Sequence, residues 1–69
     1  MKTTLRDRAY SGIIEKILKG DIRPGDPLRE QSIAAQLGVS ATPVREAFGR
    51  LEREGWVEIV AQKGCRLKE

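Results

Sequence analysis

Histidine is absent from this chain, and cysteine occurs once. A lone thiol cannot close an intramolecular disulfide, so no covalent staple is expected. Without His, and with a single Cys, no cluster has metal-ligand character. No nucleophile sits beside a base in a catalytic pattern, so neither an enzyme nor a cofactor is expected. Aromatics are scarce, with one Trp, one Tyr and one Phe. Long apolar runs are missing as well. No stretch of about 18 apolar residues is present to span a bilayer. The first residues lack the charged-then-apolar pattern of a secretion leader. The expected location is the cytoplasm.

What is present is a 69-residue chain, 39% hydrophobic and 33% charged. That is one domain, residues 1–69, and a chain of this size buries only about 60% of its unfolded surface. Lys and Arg number 13 against 10 Asp and Glu, for a net charge of +3. Mild basicity suits nucleic acid and plain solubility equally well, so the placement of charges matters more than their sum. The chain stops at Lys68–Glu69 just after a strand-like pattern, and is expected to be part of a longer protein.

The apolar spacing predicts an amphipathic helix over 4–19. Leu5, Ala9, Ile13 and Ile17 fall four apart, with Tyr10, Ile14 and Leu18 beside them. Thr4 can cap it, with Asp7 three residues on, and Gly20 can stop it. Gly12 in the middle costs roughly 1 kcal/mol relative to Ala. "GDIRPGDPL" (20–28) is turn chemistry: Pro24–Gly25 suits the centre of a type II turn. Pro27–Arg29 reads as a short extended piece. A short helix follows over 30–37, with Ile33, Ala34 and Leu37 inward and Gly38 at its end. Thr42 is the best N-cap for the next helix, with Pro43 at its first position and Ser40 as the competing cap. Val44, Ala47, Phe48 and Leu51 form its apolar stripe, and Gly55 ends it. From Trp56 the period becomes two. Trp56–Val60 and Cys65–Leu67 read as strands around an "AQKG" loop.

Two helices joined by a tight Gly-containing turn make a helix-turn-helix, whose second helix lies in the major groove of DNA. That role accounts for the composition of "GVSATPVREAF". A helix N-terminus carries free N–H groups and partial positive charge, which suits a phosphate. Ser40 and Thr42 add hydroxyls there. Arg45, one turn in and off the apolar stripe, has the forked donors to grip guanine O6 and N7. Arg50 and Arg53 suit phosphates or ion pairs with Glu46, Glu52 or Glu54. Gln31 can reach a phosphate or an adenine edge. The closing hairpin is a wing tipped by Gln62-Lys63-Gly64, with Lys63 for charge and Gly64 for close backbone approach. The expected fold is α+β, mainly α: a winged helix-turn-helix of three helices and a C-terminal β-hairpin.

The run "LREQSIAAQLGVSATPVREAFGRLEREGWVEIVAQKGCRL" resembles the winged-helix domain of the GntR family of bacterial transcription regulators. The matching features are L-x-E-x-x-[IL]-A-x-x-L-G-V-S-x-T-P-V-R-E-A, then L-x-x-E-G, then a hairpin with Lys–Gly at its tip. "ILKGDIRPGDPL" resembles the family's I-x-x-G-x-[IL]-x-P-G segment. The similarity covers residues 5–67, and T-P-V-R-E-A resembles the subgroup with an all-helical, acid-binding C-terminal domain. It implies a repressor-type regulator that binds short palindromic operators as a homodimer. It also implies an effector metabolite held by a C-terminal domain that this chain does not include. With Ala41 and Pro43, which complete the same helix start, the candidate DNA contacts are Gln31, Ser40, Ala41, Thr42, Pro43, Arg45, Arg50, Lys63 and Gly64. Ala41 and Gly49 depart from the family pattern, which often has Arg at the first and a basic or larger residue at the second.

Blander readings exist for each residue. Ser40 and Thr42 would cap any helix, Arg45 could be a solvated surface arginine, and Lys63–Gly64 an ordinary turn. Trp56, Val44, Ala47, Phe48 and Leu51 read as core, and Cys65 as a small strand residue. The rival function is a winged-helix module that binds protein instead of DNA. A small enzyme subunit is the third.

Overall fold

The structure, a computed structural model, describes residues 3–60 and 64–68. Its elements run α1 (Leu5–Lys19), β1 (Pro27–Leu28), α2 (Glu30–Leu37), α3 (Ala41–Arg53), β2 (Val57–Val60) and β3 (Gly64–Leu67).

Helix α1 starts where local chemistry dictates. Thr4 Oγ1 accepts the Asp7 main-chain N–H at 3.0 Å, and Asp7 Oδ2 accepts that of Thr4 at 3.3 Å. This reciprocal box satisfies two N–H groups that the helix cannot. Gly20, at φ 83°, ends the helix in the left-handed region. Ala9 and Ile13 are buried, while Leu5 and Leu18 are exposed at 52% and 74%. Leu18 lies five residues beyond Ile13, about 140° round the helix, so it cannot share that face.

The extended piece after the first turn becomes a strand. Asp26 N–H donates to Arg23 O at 2.9 Å across Pro24–Gly25, and Gly25 has φ 89°. That geometry closes the turn expected there and brings β1 alongside β3, with Pro27 opposite Arg66 and Leu28 opposite Cys65. The hairpin of β2 and β3 is therefore part of a three-stranded antiparallel sheet, ordered β1-β3-β2. Pro27 is tolerated because β1 is an edge strand. On the other edge, Ile59 N–H donates to Glu52 Oε2 at 3.2 Å, tying β2 back to α3.

One core joins the layers. Ile13, Val44, Leu51 and Val57 have the largest fully buried side chains, with Phe48, Leu28, Ile33 and Leu67 packed around them. The stripe on α3 is thus the centre of the molecule. No charged or polar side chain is buried among the described residues.

Candidate nucleic-acid interface

Helix α2 ends at Gly38, in the left-handed region at φ 71°, and α3 begins at Ala41. The cap of α3 is Ser40, not Thr42, and Pro43 is the third helical residue, not the first. The reason is steric. A proline ring clashes with the carbonyl four residues back, which here belongs to Val39 outside the helix, so Pro43 fits anywhere in the first turn. The bias of a pre-proline residue against helical geometry is too weak to hold Thr42 out.

This leaves a helix N-terminus with spare donors. The Ser40 side chain makes no capping hydrogen bond. The main-chain N–H groups of Ser40, Ala41 and Thr42 have no partner among the described residues. Ser40 and Thr42 are exposed, and Ala41 is half-buried. Pro43, in contrast, is buried and has no N–H to give, so it supports the helix start.

Arg45 sits on the same end of α3, its side chain 67% exposed. It is not a free surface arginine. Nε donates to Glu30 Oε2 at 2.8 Å and Nη2 to Glu30 Oε1 at 3.1 Å, a two-bond fork between α3 and the first residue of α2. The guanidinium holds the Glu30 carboxyl below the usual carboxylate range. Gln31, next in α2, is exposed. An open groove of about 710 Å³ lies beside this pair, lined by Glu30, Gln31 and Arg45 together with Leu28, Phe48 and Ile59.

Arg50 is elsewhere. Five residues from Arg45, it is turned about 140° round α3. Its guanidinium carbon lies 3.9 Å from the centre of the Tyr10 ring on α1. Its Nε is 3.3 Å from Glu54 Oε2 and its Nη1 3.8 Å from Asp7 Oδ1. The Tyr10 hydroxyl donates to Glu54 as well, completing a bridge between α1 and the end of α3. That bridge directs Arg50 toward α1, and the ion pair with Glu54 that the sequence allowed is present. On the hairpin, Gly64 opens β3 exposed and at φ 86°. Lys63 and Gln62 lie outside the described residues.

Sequence reasoning missed Glu30. Its only signal was its place in the L-x-E motif, since a contact 15 residues from Arg45 has no local periodicity. Among the described residues no group of His, Cys, Asp and Glu could hold a metal ion, and no helix is long and apolar enough to cross a membrane.

A helix pair with a tight glycine turn, an exposed donor-rich start to the second helix and a hairpin alongside define a winged helix-turn-helix DNA-binding domain. Residues 5–67 match the family model "Bacterial regulatory proteins, gntR family". The chain belongs to the GntR family of transcription regulators. It is 41% identical over 68 residues to a probable D-xylose utilization operon transcriptional repressor of Paenarthrobacter nicotinovorans, covering 99% of this chain and 30% of that protein. Lar, which controls expression of the Listeria monocytogenes agr system, superposes with a TM-score of 0.90 at 32% identity, over 100% of this chain and 32% of Lar. YtrA, a GntR-family transcription factor from Sulfolobus acidocaldarius, gives 0.78 at 31% identity, over 100% of this chain and 60% of YtrA. The chain spans about a third or less of the curated relatives it matches. These likenesses favour the DNA-binding reading over the protein-interaction module.

Proposed function

We propose that α3 enters the major groove of an operator and that Arg45 reads a base there, guanine being the best match to its fork. Ser40, Ala41 and Thr42 hold a phosphate through their main-chain N–H groups and the two hydroxyls. Gln31 contacts the neighbouring phosphate or an adenine edge. The hairpin, through Gly64 and the adjoining Lys63, meets the minor groove or its phosphates. Pro43, which is buried and lacks an N–H, and Arg50, which stacks on Tyr10, are not part of this proposed contact set. Two copies, held together in a longer regulator, would occupy the halves of a palindrome and repress the genes beside it. An effector metabolite would act through a further domain of that regulator. The observation that carries this reading is the donor-rich, exposed N-terminal turn of α3 with Arg45 one turn in.

The test is selection from a random duplex library at two salt concentrations, followed by sequencing. Enrichment of a short site whose affinity falls steeply with salt is the expected result. Retention without enrichment would remove base readout, and no retention at low salt would remove DNA binding itself.

A further inference from the structure

We infer that Glu30 is a positioning residue for Arg45: it holds the guanidinium by one edge and presents the other edge to DNA. This rests on the proposed role of Arg45 as the base contact. A guanidinium has five N–H donors in a fixed plane. The Glu30 carboxylate takes Nε–H and one Nη2–H, at 2.8 and 3.1 Å. Both Nη1 hydrogens and one on Nη2 remain. One from each nitrogen forms a second, end-on fork, whose geometry suits two acceptors on one base edge.

The pair is poorly placed to serve stability. Arg45 is 67% exposed and Glu30 31%, and ion pairs so open to water contribute little to folding. Its value lies in binding. An arginine side chain loses much rotamer freedom when it docks, and here much of that freedom is already gone before DNA arrives. The carboxylate also opposes phosphate. It lowers the sequence-independent attraction that Arg45 would otherwise exert on any duplex. Both effects act in the same direction, raising the ratio of specific to random affinity. Glu30 is itself anchored as the first residue of α2, where a negative charge is favoured by the helix N-terminus.

The experiment is a double-mutant cycle on this chain. Wild type, Glu30→Gln, Arg45→Ala and the double variant are titrated by fluorescence anisotropy across a salt series. The probes are the duplex enriched from the random library and a random duplex of the same length. Gln keeps the volume of Glu and loses the charge and one acceptor, and circular dichroism checks that each variant is folded. We expect Glu30→Gln to lower the specific-to-random ratio roughly tenfold. Random-duplex affinity should rise, with a salt slope steeper by about one counter-ion. In the Arg45→Ala background, Glu30→Gln should change the ratio by less than about twofold. Glu30→Asp, which retains both carboxylate oxygens, should recover part of the loss. An unchanged ratio, or an equal loss in both backgrounds, overturns the positioning role. If Arg45→Ala leaves the ratio intact, or selection enriches nothing, the base-contact reading fails first and this one with it. If Arg45→Ala lowers the ratio and Glu30→Gln does not, only the role of Glu30 falls.

Discussion

Gly12 in α1 lies beneath the side chain of Leu37 at the end of α2, so close that a Cβ on residue 12 would stand 2.7 Å from Leu37 Cδ2. The helical cost of a mid-helix glycine is therefore offset by the approach of two helices. Gly49 in α3 is the opposite case, for there a Cβ would meet only Arg53 Nη1 at 3.7 Å, an ordinary contact. Gly49→Ala should stabilise the fold by about 0.5–1 kcal/mol. In a domain of this size that raises Tm by roughly 2–8 °C. Gly12→Val should destabilise it by about 1–3 kcal/mol through overpacking against Leu37. Thermal melts followed by circular dichroism decide both.

Arg50 should matter to the fold and not to sequence readout. Arg50→Ala removes the cation over Tyr10 and the pairing with Glu54 and Asp7. Tm should fall, while the specific-to-random affinity ratio stays within about twofold of wild type. A large loss of selectivity at unchanged Tm would return Arg50 to the DNA-facing set.

Acid should weaken the domain in a defined window. Asp7 is held below its ordinary 3.8 by the Thr4 main-chain N–H and hydroxyl, and Glu54 below its ordinary 4.5 by the Tyr10 hydroxyl, with Arg50 adding to it. Glu30 is held below 4.5 by Arg45. Each folded-state value is depressed, so each contribution is complete above the ordinary value and disappears as pH falls through the lowered one. Urea midpoints should be nearly level from about pH 7 to 5 and fall from about pH 4.5 to 3. Thr4→Ala, which costs about 1 kcal/mol at neutral pH, should lose slightly less of its remaining stability across that acid window than wild type, because Asp7 loses the Thr4 hydroxyl while the main-chain N–H at position 4 still holds it.

The single thiol should be inert in the native state. Cys65 is 4% exposed, and burial pushes its pKa up to about 11. At pH 8 roughly one Cys65 in a thousand is then thiolate, the form that reacts. A thiol-directed chromophore should label the folded chain far more slowly than the chain in denaturant. Equal rates would mean that β3 is not packed as described.

Local chemistry made much of this fold legible in advance. Thr4 with Asp7, the turn at Pro24–Gly25, the left-handed Gly20 and Gly38, and the stripe Val44–Ala47–Phe48–Leu51 each depend on residues a few positions apart. What sequence order hides is what the packing brings together. Glu30 meets Arg45 only because α2 and α3 cross. Arg50 meets Tyr10 only because α1 packs on α3, and a count of charges could not choose between phosphate and carboxylate for it. Pro27–Leu28 is a strand because β3 returns beside it. The cap moved from Thr42 to Ser40 because two weak local preferences competed and the surrounding turn decided between them.

The hydrogen bond from Ile59 to Glu52 has a consequence for the sheet edge. A strand at the rim of a sheet normally offers its open N–H groups as a template on which a neighbouring molecule can zip. Here that donor is already occupied, and an approaching backbone meets a carboxylate instead. At Ile59, therefore, this edge gives a neighbouring strand no free donor to pair with.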